Sequence, residues 1–252
     1  MKHRIESLIG FTIGGTDGGI GEVKEFYFDD HTWTIRYLIV ETGNWLFGKK
    51  VLISPEAVVN PDWEAKVFPV NLTKEQIKNS PDIDTKKTVS RQHEIELYNY
   101  YPWTSYWGGG GWASTMGTTG MMTSPIMPLE TAIHENIDSE VAAHPHLRST
   151  ANVTGYHIKA MDGEIGDVED FIIDDNTWKI DFMLVDTGNW FPGKKVLISP
   201  KWIKEVAWQK DEVIVNASEE QVKNSPEYQP SEHLSETYEA NLQNYYGNFI
   251  RH

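Results

Sequence analysis

The chain has 252 residues and a mass of 28.8 kDa, which is enough for one large domain or for two domains that each bury a core. Its formal net charge is −15, so most of its surface would repel nucleic acid, which proteins bind chiefly through lysine and arginine. The sequence contains no cysteine, which excludes disulfides, thiolate metal sites and a cysteine nucleophile.

The first residues, "MKHRIESLIGFTIGG", mix charged and apolar side chains and lack the continuous apolar core of a signal peptide. No stretch approaches the roughly 20 apolar residues that a membrane-spanning helix requires. We therefore expect a cytoplasmic protein.

An internal repeat dominates the sequence. A shift of 145 residues aligns positions 10–81 with 155–226 without a gap, and 35 of the 72 pairs are identical. A spacing this long indicates duplication of a whole domain, because solenoid repeats are only about 20–50 residues long. We predict one domain over 1–101, a linker over 102–130 and a second domain over 131–252.

In chain order, each repeat predicts five short strands with turns between them. The first is an apolar run, Leu8–Ile13 or Val153–Ile158, and an Asp-Gly turn follows it. The other four strands of the first repeat are "IGEVKEFYFDD", "TWTIRYLIVE", "KVLIS" and "KVFPVN", which are rich in aromatic and β-branched residues. This pattern predicts a mainly β protein with a small barrel or sandwich in each repeat.

Two helical segments follow the strands of each repeat. Thr73 with Gln76, and Ser218 with Gln221, match the capping box that begins a helix. A second helix is predicted around 90–101 and 235–246, and it places Leu97 and Tyr101, or their equivalents in the second repeat, on one face.

The segment between the repeats, Pro102–Leu129, carries no charged residue. Four consecutive glycines, Gly108–Gly111, are costly to order, so a flexible linker is expected. The linker also carries Trp103, Tyr106, Trp107 and Trp112, residue types that favour the surface of a lipid bilayer.

The repeats resemble the PRC-barrel domain, which is named after the cytoplasmic domain of the photosynthetic reaction-centre H subunit. The residues that carry the resemblance are "DGGIGEVKEFYFDDHTWTIRYLIVETG" followed by "GKKVLISP", and the second repeat matches in the same order. The resemblance implies two tandem β-barrels of about six strands. It also implies a bacterial protein of the stand-alone tandem type, with an adaptor or stress-associated role and no assigned catalytic residues.

The loop "TGNWLFGKK" and its copy "TGNWFPGKK" are candidate partner-binding segments, because tryptophan beside a cation is frequent where partners dock. The candidate residues are Trp45, Lys49, Lys50, Trp190, Lys194 and Lys195. The alternative is a hairpin loop in which Trp45 and Trp190 fold back on the barrel. Phosphate binding is not favoured, because no helix begins after the loop as a P-loop requires.

Two other groups of residues have simple structural interpretations. The pairs Asp29-Asp30 and Asp174-Asp175 could bind Ca²⁺, but a hairpin turn in which aspartate binds the following backbone explains them more simply. His134, His144 and His146 lie in a polar stretch, and we expect them to be solvated. We predict no catalytic, cofactor-binding or metal-binding residues.

The favoured function is a non-enzymatic scaffold or adaptor for an unidentified protein partner, in which linked sites raise avidity. The alternatives are peripheral association with a membrane or membrane complex, and binding of a small ligand. Duplication often internalises a homodimer, so the two barrels are expected to pair through equivalent surfaces, with the terminal helices crossing between them. A further homo-oligomer is compatible with this arrangement, and no nucleic-acid partner is expected.

Overall fold

The computed structural model describes residues 1–81, 89, 91–101, 103, 146–188, 194–229 and 234–248. The chain divides into two compact units, one formed by residues 1–74 with 146–252 and the other by residues 75–145. The first unit contains two β-sheets, and the second contains the helix that follows the first repeat.

Within its described residues, the first repeat has six strands and three helices. They are β1 (Lys2–Arg4), α1 (Ile5–Leu8), β2 (Thr12–Gly15), β3 (Gly18–Asp29), β4 (Thr34–Thr42), β5 (Lys50–Ile53), β6 (Val67–Pro69), α2 (Lys74–Lys78) and α3 (Arg91–Tyr100). Short 3-10 turns lie at Asn44–Leu46 and Pro55–Ala57.

The second repeat follows the same order with one additional strand, Ile203–Ala207. Its elements are β7 (Leu147–Ser149), α4 (Thr150–Val153), β8 (His157–Lys159), β9 (Glu164–Asp174), β10 (Ile180–Asp186), β11 (Lys195–Ile198), a 3-10 turn (Pro200–Trp202), β12 (Ile203–Ala207), β13 (Glu212–Val215), α5 (Glu219–Lys223) and α6 (Glu236–Gly247). The prediction of a mainly β protein built from two like repeats is confirmed.

The two sheets share the order of five strands, and the second sheet has one more strand, β12, at its edge. The first has the strand order β5-β4-β3-β2-β6 and the second β11-β10-β9-β8-β13-β12. Neighbouring strands are antiparallel except for β2 with β6 and β8 with β13, which are parallel. The long strands β3, β4, β9 and β10 supply 20 of the 50 buried apolar side chains among the described residues, including the equivalent pair Phe26 and Phe171. Burial of these apolar faces is the main driving force for each sheet.

The first predicted strand of each repeat is displaced in the structure. Leu8 ends a short helix rather than beginning a strand, and the strand itself starts at Thr12. Gly10 lies between them with φ of +84°, which glycine adopts more readily than other residues, and Gly155 repeats it with φ of +92°. The sequence interpretation merged two elements because the apolar run continues across this reversal.

The two repeats exchange their first strands. β1 of the first repeat pairs antiparallel with β9 of the second, with His3 opposite Ile173. β7 of the second repeat pairs antiparallel with β3 of the first, with Arg148 opposite Phe28. Neither strand is recognisable in the sequence, because three residues are too few to show an alternating pattern.

The backbone contacts between the repeats are reciprocal. The amide of Ile35 donates to the carbonyl of Trp178 at 2.8 Å, and the amide of Ile180 donates to the carbonyl of Trp33 at 2.7 Å. Ile35 and Ile180 are equivalent positions of the two repeats, and so are Trp33 and Trp178. Each repeat therefore donates to the other from the same position and accepts at the same position. Such reciprocity is the pattern that a two-fold relation produces.

The terminal helix α6 covers its own repeat. Tyr246 of α6 stacks on Trp202 with 4.1 Å between ring centroids, and Tyr245 donates to the carbonyl of Gln221 at 2.8 Å. The helix α6 therefore packs on its own repeat through Trp202, and its Glu239 also lies 3.7 Å from Lys2 of the first repeat's strand β1, so crossing of the terminal helices stays a prediction. The capping box predicted at Ser218 and Gln221 is present.

The second unit contains α3 and its neighbours. Tyr100 donates to the carbonyl of Gln76 at 2.8 Å, and Tyr101 stacks on Trp103 with 4.1 Å between ring centroids. Apart from Trp103, the predicted linker over 102–130 lies outside the described residues.

Candidate partner-binding loop

The loop that joins β4 to β5 in the first repeat is held in a defined conformation. Its 3-10 turn over Asn44–Leu46 is closed by bonds from the Gly48 amide to the Gly43 carbonyl at 3.3 Å and from the Lys49 amide to the Leu46 carbonyl at 3.1 Å. The conformation follows from the sequence, because glycines flank the turn and tolerate its backbone angles.

Trp45 folds back on the sheet. Its indole Nε1 donates to the carbonyl of Ile20 at 2.6 Å, and the ammonium of Lys74 lies 5.6 Å from the centre of its ring. Trp45 therefore matches the alternative interpretation, in which the tryptophan folds back on the barrel, and it anchors the loop. Its copy, Trp190, lies outside the described residues.

Phe47 occupies the tip of the same loop and is the residue that sequence reasoning missed. Its side chain is 97% exposed, and its backbone is left-handed with φ of 54°. A bulky side chain seldom adopts this conformation, so the surrounding hydrogen bonds hold it there. The available signal was an apolar residue directly before Gly48, at a position where the second repeat has Pro192.

The four candidate lysines have different environments. In the first repeat Lys50 is exposed and Lys49 is half-buried. In the second repeat Lys194 is buried, its ammonium donates to the carbonyl of Ser225 at 2.8 Å and to that of Lys223, and burial lowers its pKa. We therefore remove Lys194 from the candidate contact residues, since its charge already binds main-chain carbonyls near the end of α5.

Lys195 is held by carboxylates of its own sheet. Its ammonium contacts Glu169 and lies 3.6 Å from Asp186. Burial acts to lower the pKa of Lys195, but the hydrogen bond to Glu169 and the attraction of Asp186 outweigh it, and the pKa is raised. Lys195 thus remains charged, and an incoming partner would have to compete with Glu169 for it.

A groove with a volume of about 460 Å³ lies beside the loop. Its charged lining is compensated only in part, because the single ammonium of Lys24 lies 2.9 Å from Glu22 and 3.5 Å from Glu41. The other lining residues are Thr12, Gly19, Ile20, Gly21, Thr42, Gly43, Asn44, Trp45 and Gly48. At Gly21 a β-carbon would lie only 2.1 Å from the Glu41 carbonyl oxygen, so glycine lets the strands approach closely.

The two aspartates of each pair have different roles. Oδ1 of Asp29 accepts from the amides of His31 and Thr32, each at 2.9 Å, and Asp174 accepts equivalent bonds in the second repeat. The turn interpretation is therefore correct for Asp29 and Asp174. The second aspartates, Asp30 and Asp175, face the strands exchanged between the repeats.

Among the described residues, no helix is both long enough and apolar enough to cross a bilayer. A family model described as the PRC-barrel domain matches residues 1–77 and 152–222, which together are more than half of the chain. A comparison with curated proteins finds no match.

Proposed function

The chain belongs to the PRC-barrel domain family, and we propose that it is an adaptor whose first-repeat loop docks a protein partner. The family suggests a non-catalytic module of the interaction type. The observation that carries the finer proposal is the fully exposed Phe47 at the tip of a loop that Trp45 anchors. The nature of the partner, a stress-associated role and a cytoplasmic location stay predictions.

An exposed aromatic side chain on a fixed loop is suited to docking. Aromatic residues dominate the binding energy of many interfaces because they bury a large apolar area in a pocket of the partner. The hydrogen bond from Trp45 to Ile20 and the closed turn hold the loop before binding, which lowers the entropic cost of association.

The difference between the two loops supports an adaptor rather than a symmetric binder. The second loop has Phe191 and Pro192 where the first has Leu46 and Phe47. The loops therefore offer different chemistry from like positions in the two repeats. Two unlike docking sites on one chain would bring two different partners together.

Affinity capture from a lysate of the native host tests the proposal. The wild-type chain is expected to retain a protein that the Phe47→Ser variant loses, while the variant keeps the wild-type melting temperature because Phe47 packs on little. Met161→Ser is the matched control, since it removes another exposed apolar side chain and should leave capture unchanged. Equal capture by all three proteins would refute docking at Phe47.

Binding of a small ligand is a second candidate, and the groove beside the loop favours it. Its volume of about 460 Å³ lies in the range of ligand sites, about 300–1,000 Å³. A screen of metabolites by thermal shift tests it. A genuine groove ligand should raise the melting temperature of the wild type and of Phe47→Ser equally, and should lose its effect in Glu41→Gln.

Peripheral membrane association stays a prediction without a specific structural observation in its favour. Of the four linker aromatics that suggested it, the structure describes Trp103 alone, and that ring stacks on Tyr101. Co-sedimentation with liposomes, with and without residues 102–129, remains the direct test.

A further inference from the structure

A histidine-carboxylate cluster lies where the second repeat lends its first strand to the first repeat. Asp30 and His31 form the turn after β3, and His146 directly precedes β7. The amide of Asp30 donates to the carbonyl of His146 at 2.9 Å, which fixes the two segments side by side. The cluster therefore exists only because β7 pairs with β3.

Asp30 has one oxygen that the described residues leave without a hydrogen bond. Its side chain is only 7% exposed, and Oδ2 accepts from Nε of Arg148 at 2.8 Å. Oδ1 is buried and has no hydrogen-bond partner among the described residues. Its neighbours are Nε2 of His31 at 3.6 Å and Nδ1 of His146 at 3.9 Å. A buried carboxylate oxygen in this state is costly unless something positive binds it.

We propose that Asp30, His31 and His146 bind a divalent transition-metal ion of the zinc class. One oxygen and two imidazole nitrogens lie within 4.8 Å of one another. Ligand atoms in a tetrahedral zinc site are about 3.4 Å apart, given bonds of about 2.0–2.1 Å. Oδ1 of Asp30 lies 3.6 Å from Nε2 of His31 and 3.9 Å from Nδ1 of His146, so a modest movement, chiefly of the His31 side chain, brings the ligand atoms to bonding distance.

The exposed His31 ring has the freedom that this movement requires. The side chain of His31 is 68% exposed, and its ring meets that of His146 edge-on, with 4.4 Å between centroids and 86° between planes. Because this side of the cluster faces solvent, water can fill the fourth position, as in sites with three protein ligands.

The ligand chemistry selects the class of metal. Imidazole nitrogen suits zinc, nickel and copper, whereas calcium and magnesium prefer oxygen ligands. Arg148 holds Oδ2 and orients Asp30 so that Oδ1 faces the histidines, the role that outer partners of metal ligands usually have. Its positive charge also opposes that of the metal, so we expect micromolar rather than nanomolar affinity.

The second repeat supplies an internal comparison. Asp175 occupies the place of Asp30, but its Oδ2 lies 3.1 Å from Nε2 of His3, and Asn176 stands in place of His31. An amide side chain is a poor ligand for zinc. The chain should therefore bind one metal ion, in the first repeat, where the ion would tie the turn of one repeat to the strand of the other.

Calorimetric titration of the full-length, tag-free chain with zinc chloride tests the proposal. The wild type is expected to bind one zinc ion, and calcium chloride should give no binding heat. His31→Asn copies the residue of the second repeat and should weaken zinc binding by about 100-fold, because loss of a ligand costs at least as much as loss of an outer partner. His157→Asn removes an exposed histidine elsewhere and should leave the affinity unchanged.

X-ray absorption at the zinc edge of the wild-type complex provides a readout that needs no variant. Scattering from two imidazole rings is expected. No binding by the wild type at millimolar zinc, an unchanged affinity in both His31→Asn and His146→Asn, or a zinc environment without imidazole would each overturn the proposal. Far-UV circular dichroism of the variants verifies that each is folded before its affinity is compared.

Discussion

Arg148 bridges the two repeats by placing its guanidinium against Asp30, with 2.8 Å between Nε and Oδ2. The same guanidinium lies over the ring of Trp208, with 4.2 Å from its carbon to the ring centroid. The first repeat contributes Asp30 to this contact, and the second repeat contributes Arg148 and Trp208. Neither repeat could make the contact alone.

The exchanged strand of the first repeat makes the equivalent contact with a different side chain. His3 stacks on Trp63 with 3.9 Å between ring centroids, and its Nε2 lies 3.1 Å from Oδ2 of Asp175. Histidine and arginine therefore occupy equivalent positions between an indole ring and a carboxylate.

Replacement of Arg148 by alanine should destabilise the fold. The variant leaves the buried carboxylate of Asp30 without its cation, and loss of one partner from a buried pair costs about 3 kcal/mol. Urea denaturation at neutral pH measures the change in the free energy of unfolding. Lys24→Ala is the control, because its pairs with Glu22 and Glu41 are exposed and should contribute less than about 1 kcal/mol. Equal effects of the two variants would contradict the structural role of Arg148.

Deletion of residues 1–4 should loosen the sheet of the second repeat rather than that of the first. β1 pairs with β9, so its loss exposes the backbone of 172–174 to water. Amide hydrogen exchange measures the effect, with faster exchange expected at Asp175, whose amide donates to the carbonyl of Met1 at 2.9 Å. The amides of β3 in the same sample serve as the control, and faster exchange in β3 alone would show that the strands are not exchanged.

Gly21→Ala should destabilise the first repeat by about 3 kcal/mol, the upper end of the usual cost of overpacking. A β-carbon at this position would lie 2.1 Å from the carbonyl oxygen of Glu41, and backbone must move to admit it. Gly19→Ala is the matched control in the same strand, because no atom lies within 4 Å of its added β-carbon. Thermal unfolding of the two variants should differ clearly, and similar melting temperatures would argue against the close approach of β3 and β4.

Tyr246→Phe should reduce the loss of stability in alkali. Burial raises the pKa of Tyr246 to about 12, whereas a tyrosine in an unfolded chain has a pKa of about 10. The folded chain therefore retains this proton over that interval, and the associated stability is present below pH of about 10 and is lost as the pH rises towards 12. The contribution is about 3 kcal/mol, at about 1.4 kcal/mol for each of the two pKa units.

Urea denaturation at several pH values between neutral and strongly alkaline measures this effect. Phenylalanine keeps the stacking on Trp202, so the variant and the wild type should have similar stability at neutral pH. The wild type should then lose more stability than the variant as the pH rises. Parallel curves would show that Tyr246 ionises as freely in the folded chain as in the unfolded one.

The two candidate sites show how far local patterns lead. The sequence identified the loop around Trp45 from its composition, but it could not decide which side chain faces solvent, and the exposed aromatic is Phe47. Lys49 and Lys194 have the same neighbours in sequence, and only the position of α5 shows why the ammonium of Lys194 binds carbonyl groups. The exposure of a loop side chain depends on packing partners that are remote in sequence.

The sequence alone determined the duplication, the long strands of each repeat, the turns at Asp29 and Asp174, the capping box at Ser218 and the family. These features depend on residues a few positions apart, or on a comparison of the sequence with itself, so they are legible without coordinates. The tertiary structure alone decided that β1 pairs with the sheet of the second repeat, that β7 pairs with the sheet of the first, and that Asp30, His31 and His146 lie close together. Asp30 and His146 are 116 positions apart, and what joins them is the pairing of a three-residue strand with a distant sheet. That pairing is governed by the total buried surface and the hydrogen bonds of the assembled repeats, which no local pattern records.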